Sequence, residues 1–189
     1  MANNDRPQDL AARIQDELSP LLHQPLKEWH RAANMAVLGF GPTVTTHGLR
    51  GNSVQRARYR LHLQCPWRLV SYASILFGSG DLNLPADSQI ASPEFHDQLH
   101  SSQLDTTLQE WMQSHASDPP CVTSVAADSW GGLVLDFSCN AKLQVLPCGR
   151  ATMRSKHEIS RELWRFFGHR EDEGHLVVDD CGIVPDEDS

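Results

Sequence analysis

Residues 57–70 read ARYRLHLQCPWRLV. One parity carries Tyr59, Leu61, Leu63, Cys65, Trp67 and Leu69, and the other carries Arg58, Arg60, His62, Gln64, Pro66 and Arg68. Alternation of this kind marks a strand with one face on a core and the other in water. It predicts that Leu61, Leu63, Cys65 and Trp67 are buried and that Arg58 and Arg60 are exposed. Pro66 has no N–H for a ladder, so an edge position or a bulge is expected there.

The flanking pattern gives the rest of the fold. Before the strand, Leu10, Ile14 and Leu18 fall four apart and Pro20 follows, which predicts a helix over about residues 7–19. The stretch PLKEWHRAANMAVLGFGP (25–42) fits helix or strand, its glycines and Pro42 favouring an extended second half. TTHGLRGNS (45–53) is a polar, glycine-bearing connection. After the strand, Ile75–Phe77 reads as a short strand closed by a glycine turn. A second helix is expected from Ser102, with Asp105 three residues on as a variant capping box and SDPP (117–120) as its stop. CVTSVAAD, GGLVLDF and AKLQVLP, joined by SWGG and SCN turns, predict an antiparallel meander over 121–147. LWRFF (163–167) and HLVVDD (175–180) predict a last hairpin. The expected architecture is a single α+β domain over residues 1–184, largely antiparallel, with about six or seven strands and two main helices. Residues 185–189 are expected to form an acidic flexible tail.

Composition narrows the function classes. The chain has 189 residues, 40% of them hydrophobic, enough for a core of its own. Its N-terminus lacks the apolar run of a secretory signal, and its longest uncharged apolar run is far short of the ~20 residues of a membrane helix. The five cysteines, at 65, 121, 139, 148 and 181, form no CxxC pair, and free thiols in a reducing cytoplasm account for them. The net charge of −8 resides in residues 171–189, which hold eight acids and no Lys or Arg. The remainder is balanced, which argues against a nucleic-acid partner and against an acidic surface spread over the fold. Thirteen of the 16 basic residues are Arg, whose planar fork suits carboxylates and phosphates.

Catalytic and metal motifs are thin. His96 and His100 lie four apart in FHDQLH, but no third ligand or HExxH pattern accompanies them, and no metal is assigned. GSGD (78–81) lacks the helix and lysine of a phosphate loop, and no nucleophile elbow is present. Cys65 shares the apolar parity and reads as core. The sequence therefore nominates no catalytic residue and no cofactor. What stands out is the polar parity of the opening strand. Arg58, Arg60, His62 and Arg68 form a candidate partner-binding face, unless a neighbouring strand supplies acids to pair with them, Asp136 being the candidate.

Three stretches resemble a family of small, mostly uncharacterised bacterial proteins called YxiG-like. They are RAANMAVLGFG, then YRLHLQCPWRLV with ILFGSGDL, then SVAADSWGGLVLDFS through LQVLP to ELWRFF and GHLVV, together spanning about residues 18–184. The basic insert within 149–161 and the acidic tail depart from the family pattern. The resemblance supplies no catalytic residues. It implies an accessory protein near contact-dependent toxin systems, hence an immunity-type role. The expectation is a non-enzymatic cytoplasmic protein that binds a protein partner with an acidic surface, with no nucleic acid or membrane involved. The alternative is a small hydrolase or nucleotide-handling enzyme with a His/Asp pocket, Asp81 being a candidate.

Overall fold

A computed structural model of the chain describes residues 7–47, 51–87, 101–148, 161–169 and 175–184. Two helices and eleven strands occur among them. The helices are α1 (Pro7–Leu18) and α2 (Gln103–Ser114). The strands run β1 (Leu26–Ala32), β2 (Met35–His47), β3 (Ser53–Leu63), β4 (Trp67–Val70), β5 (Ile75–Gly78) and β6 (Val122–Ala127). They continue with β7 (Leu133–Phe137), β8 (Lys142–Val145), β9 (Glu162–Gly168), β10 (His175–Asp179) and β11 (Gly182–Val184). The α+β expectation holds, and the strands divide between two antiparallel sheets. One sheet has the order β1-β2-β3-β9-β10-β11 and the other β5-β4-β8-β7-β6. The two helices and the 121–147 meander lie where the patterns placed them. The ambiguous stretch 25–42 resolves as the β1–β2 hairpin, turning at Ala33 and Asn34.

The two sheets share one core. Trp29, Leu38, Leu61, Trp164 and Val178 from the six-stranded sheet join Trp67, Leu69, Leu135 and Leu143 from the other. Trp29 lies 5.2 Å from Trp67 and 5.3 Å from Phe77, ring centre to ring centre, so aromatic contacts cross between the sheets. α1 buries Ile14 and Leu18 and packs on β6. α2 buries Leu104 and Leu108, packs on β1 and β5, and is tied to β1 by Arg31 and Asp105, whose Nε and Oδ1 lie 2.6 Å apart. Asp105 also completes the expected capping box, since Ser102 Oγ accepts its N–H and its Oδ2 accepts that of Ser102.

The opening stretch is where structure and pattern part. Residues 57–70 form two strands in different sheets, not one. The chain turns a corner at Gln64–Pro66, where Gln64 N and Cys65 N both donate to Leu163 O at 2.9 and 3.0 Å. Pro66 therefore ends one strand instead of marking an edge or bulge within it, and its carbonyl accepts from Leu146 N. The apolar parity survives the corner: Leu61, Leu63, Cys65, Trp67 and Leu69 are all buried. The polar parity does not remain one face, because Arg68 belongs to the other sheet.

Candidate functional site

The face of the six-stranded sheet opposite the core is assembled by register. Glu28, Gly39, Arg60, Phe167 and His175 lie side by side across β1, β2, β3, β9 and β10. One step along, His30, Val37, His62, Arg165 and Val177 form the next row, and Val184 extends it onto β11. Side chains directly opposite one another in an antiparallel ladder point to the same side, so these two rows share a surface.

The charges on this surface are partly answered from within. Arg60 is only 5% exposed, contrary to the exposure its parity predicts. Its Nη2 donates to Glu28 Oε2 at 2.5 Å, across Gly39. A Cβ on Gly39 would stand 2.8 Å from Ala57 Cβ and 3.0 Å from Glu28 Cβ, so the missing side chain is what lets Glu28 lie there. Glu28 Oε1 also accepts Ala57 N–H at 3.0 Å, beside the bulge that β2 makes between Phe40 and Thr43. Arg165 pairs with Glu162 in the same strand. Burial disfavours the Glu162 carboxylate, yet the hydrogen bond and charge of Arg165 hold it below the usual range. Asp136, the acid expected to meet the arginines, lies in the other sheet. It accepts from Ser124 Oγ and pairs with Lys142 at 3.1 Å. Among the described residues, Glu28 meets Arg60 and Glu162 meets Arg165.

Arg58 is half-buried, with its guanidinium 5.0 Å from the centre of the Tyr59 ring, a cation–π distance. His62 packs edge-on against Phe167 at 5.0 Å. Burial, then the charges of Arg60 and Arg165, push its pKa down to about 4, so the ring is neutral at physiological pH. Its Nε2 is buried and has no hydrogen-bond partner among the described residues. His30 is pushed down as well, first by burial and then by Arg60. Phe167 also touches the rings of His169 and His175, at 5.4 and 5.2 Å, and so lies among three imidazoles. Arg68, by contrast, is exposed on the other sheet, and its Nε donates to Gln144 Oε1 at 2.7 Å.

Of the four sequence candidates, the structure brings together Arg58, Arg60 and His62 and separates Arg68 from them. It adds His30, Arg165, Phe167 and His175, which the sequence reading missed. The alternations in KEWHR and WRFF carried a signal, but the register that joins them to β3 did not show in the sequence. Elsewhere, Asp81 Oδ2 accepts Gly78 N–H at 2.9 Å and so closes the turn after β5. Asp179, Asp180 and Cys181 lie close enough to share a cation, but Asp179 Oδ1 already accepts Cys181 N–H within that turn. All five cysteines are free. His96, His100, the tail 185–189 and nearly all of the 149–161 insert lie outside the described residues. Among the described residues no helix is long and apolar enough to cross a membrane.

Comparison of the chain with family models, curated proteins and solved structures finds no match in any of the three.

Proposed function

We propose that this chain is a non-enzymatic, partner-binding protein whose recognition surface is the arginine and histidine face of the six-stranded sheet. The observation that carries the reading is the clustering of arginine, histidine and aromatic side chains that register brings to that face. Arg56, Arg58 and Arg60 lie on β3 and Arg165 on β9, and among the described residues Arg60 pairs with Glu28 and Arg165 with Glu162. A half-buried Phe167 ringed by imidazoles lies among them. Arginine forks around an aromatic centre suit a protein surface bearing carboxylates. Arg60, nearly inaccessible and paired with Glu28, serves as a support, and Arg56, Arg58 and His62 on β3 are the proposed contact residues. The resemblance to YxiG-like proteins gives the partner a class, a toxin domain met in the cytoplasm, and the role an immunity-type neutralisation.

The test is recovery of binding proteins from the host with the wild-type chain and with Arg56→Glu/Arg58→Glu. Association kinetics of the purified partner are then measured over a salt series. The charge reversal should slow association at low salt, and the difference should shrink above ~0.1 M, where screening acts within about 10 Å. Equal association rates at every salt concentration would remove this face from recognition.

A further inference from the structure

The loop between β6 and β7 carries a second device. The segment Asp128–Gly132 closes the hairpin, with Asp128 N donating to Gly132 O at 3.0 Å. Asp128 Oδ1 accepts two further loop N–H groups, those of Trp130 and Gly132, each at 2.8 Å. The loop is also fixed from below. Trp164, fully buried in the core, donates its indole N–H to Gly131 O at 2.8 Å. Gly131 has φ +81, where L side chains are strained, and a Cβ on it would stand 2.8 Å from Val178 Cγ1. The loop backbone is thus bonded from both sides.

What this fixed loop presents is an indole in water. Of the five tryptophans, Trp29, Trp67 and Trp164 are buried and Trp111 packs against the core, whereas Trp130 is 79% exposed. A large aromatic held out on an ordered backbone binds at low entropic cost, because little of the loop remains to be ordered. Tryptophan is also among the residues most enriched where interface energy concentrates. We infer that Trp130 is an anchor that enters an apolar pocket on a protein partner. This rests on the partner-binding reading and adds a contact away from the arginine face. A protein pocket is favoured over an anionic lipid surface because the Asp128 carboxylate is built into the same loop and would be repelled there. It is also favoured over a sugar, because Asp128 Oδ1 already accepts two of the loop's own N–H groups.

The experiment compares the wild type, Trp130→Ala, Trp130→Phe and Arg56→Glu/Arg58→Glu against the partner recovered from the host, with thermal melts as a folding control. Trp130→Ala should melt with the wild type, weaken binding at least about tenfold through faster dissociation, and keep that loss at high salt. Trp130→Phe should recover part of it. Unchanged affinity for Trp130→Ala overturns the anchor, and if the arginine variant still slows association, the recognition face stands without it. Wild-type chains that capture no partner overturn both readings. Tryptophan emission that shifts to the blue on phosphatidylglycerol vesicles, and loses the shift in Trp130→Ala, assigns the indole to lipid instead. Self-association in sedimentation that Trp130→Ala abolishes assigns it to a second copy, and each of these two results overturns the partner pocket.

Discussion

Glu28 joins β1 to β3 across an intervening strand, and removing it should show what that link contributes. In Glu28→Ala two partners are lost together: the Arg60 guanidinium, 2.5 Å from Oε2, and the Ala57 N–H, 3.0 Å from Oε1. Arg60 is nearly inaccessible, so its charge would be left without its carboxylate in a place water reaches poorly. Breaking a fully buried pair costs about 3–5 kcal/mol. The Glu28 side chain is 32% exposed, which reduces that to about 2 kcal/mol, and the stranded N–H adds about 1 kcal/mol. A total near 3 kcal/mol corresponds to a melting temperature lowered by about 6–12 °C for a chain of this size. Glu28→Gln keeps an acceptor for Ala57 and loses only the charge, so it should fall by about 2 kcal/mol. Urea unfolding of Glu28→Ala, Arg60→Ala and the double variant gives the coupling energy directly. A coupling near zero, or a Glu28→Gln chain as stable as the parent, would refute this account of the pair.

Two further outcomes follow from the same regions. Because the folded chain keeps His62 neutral down to about pH 4 while an unfolded chain protonates it near 6.5, the unfolded state takes up the extra proton between those values. Stability should therefore fall as pH drops through that window, by about 1 kcal/mol after screening at a half-buried ring, and His62→Gln should flatten the slope. Equal slopes in urea melts across the window would exclude His62 as the source. Cys65 is 4% exposed and burial pushes its thiol up to about 12, whereas Cys148 and Cys181 are exposed. Iodoacetamide at neutral pH should label the exposed pair in the native chain and Cys65 only after unfolding, which peptide mass mapping reads; prompt native labelling of Cys65 would contradict its burial.

The parity of residues 57–69 was legible because burial acts on every second residue whatever lies on the other side of the strand. α2 was legible because its cap is local, Ser102 and Asp105 being three apart. The corner at Gln64–Pro66 was not, since a proline in an alternating run is equally compatible with a bulge, an edge and a change of sheet. Arg60 shows the deeper reason. An arginine on a polar parity reads as solvated, and its burial depends on Glu28 reaching over Gly39, a relation set by hairpin register and by the absence of one side chain. His30, Arg165 and Phe167 joined the candidate face only through pairings that no local pattern encodes.

The pairing of β3 with β9 bears on the order in which the protein can be made. Gln64 and Glu162, bonded through Nε2 and Oε1, stand 98 positions apart in the chain. When β1, β2 and β3 leave the ribosome, the strand that will flank β3 has yet to be synthesised, and it follows only after the whole five-stranded sheet. During that interval β3 offers an open edge, with Leu61 and Leu63 on one side and arginines on the other. Such edges recruit foreign strands unless charge discourages them. Arg56 and Arg58 add positive charge to that edge at the stage when β9 does not yet exist, while Glu28 on β1 is already there to meet Arg60. The positive charge of β3 is thus in place to discourage strand addition during the interval before β9 is made.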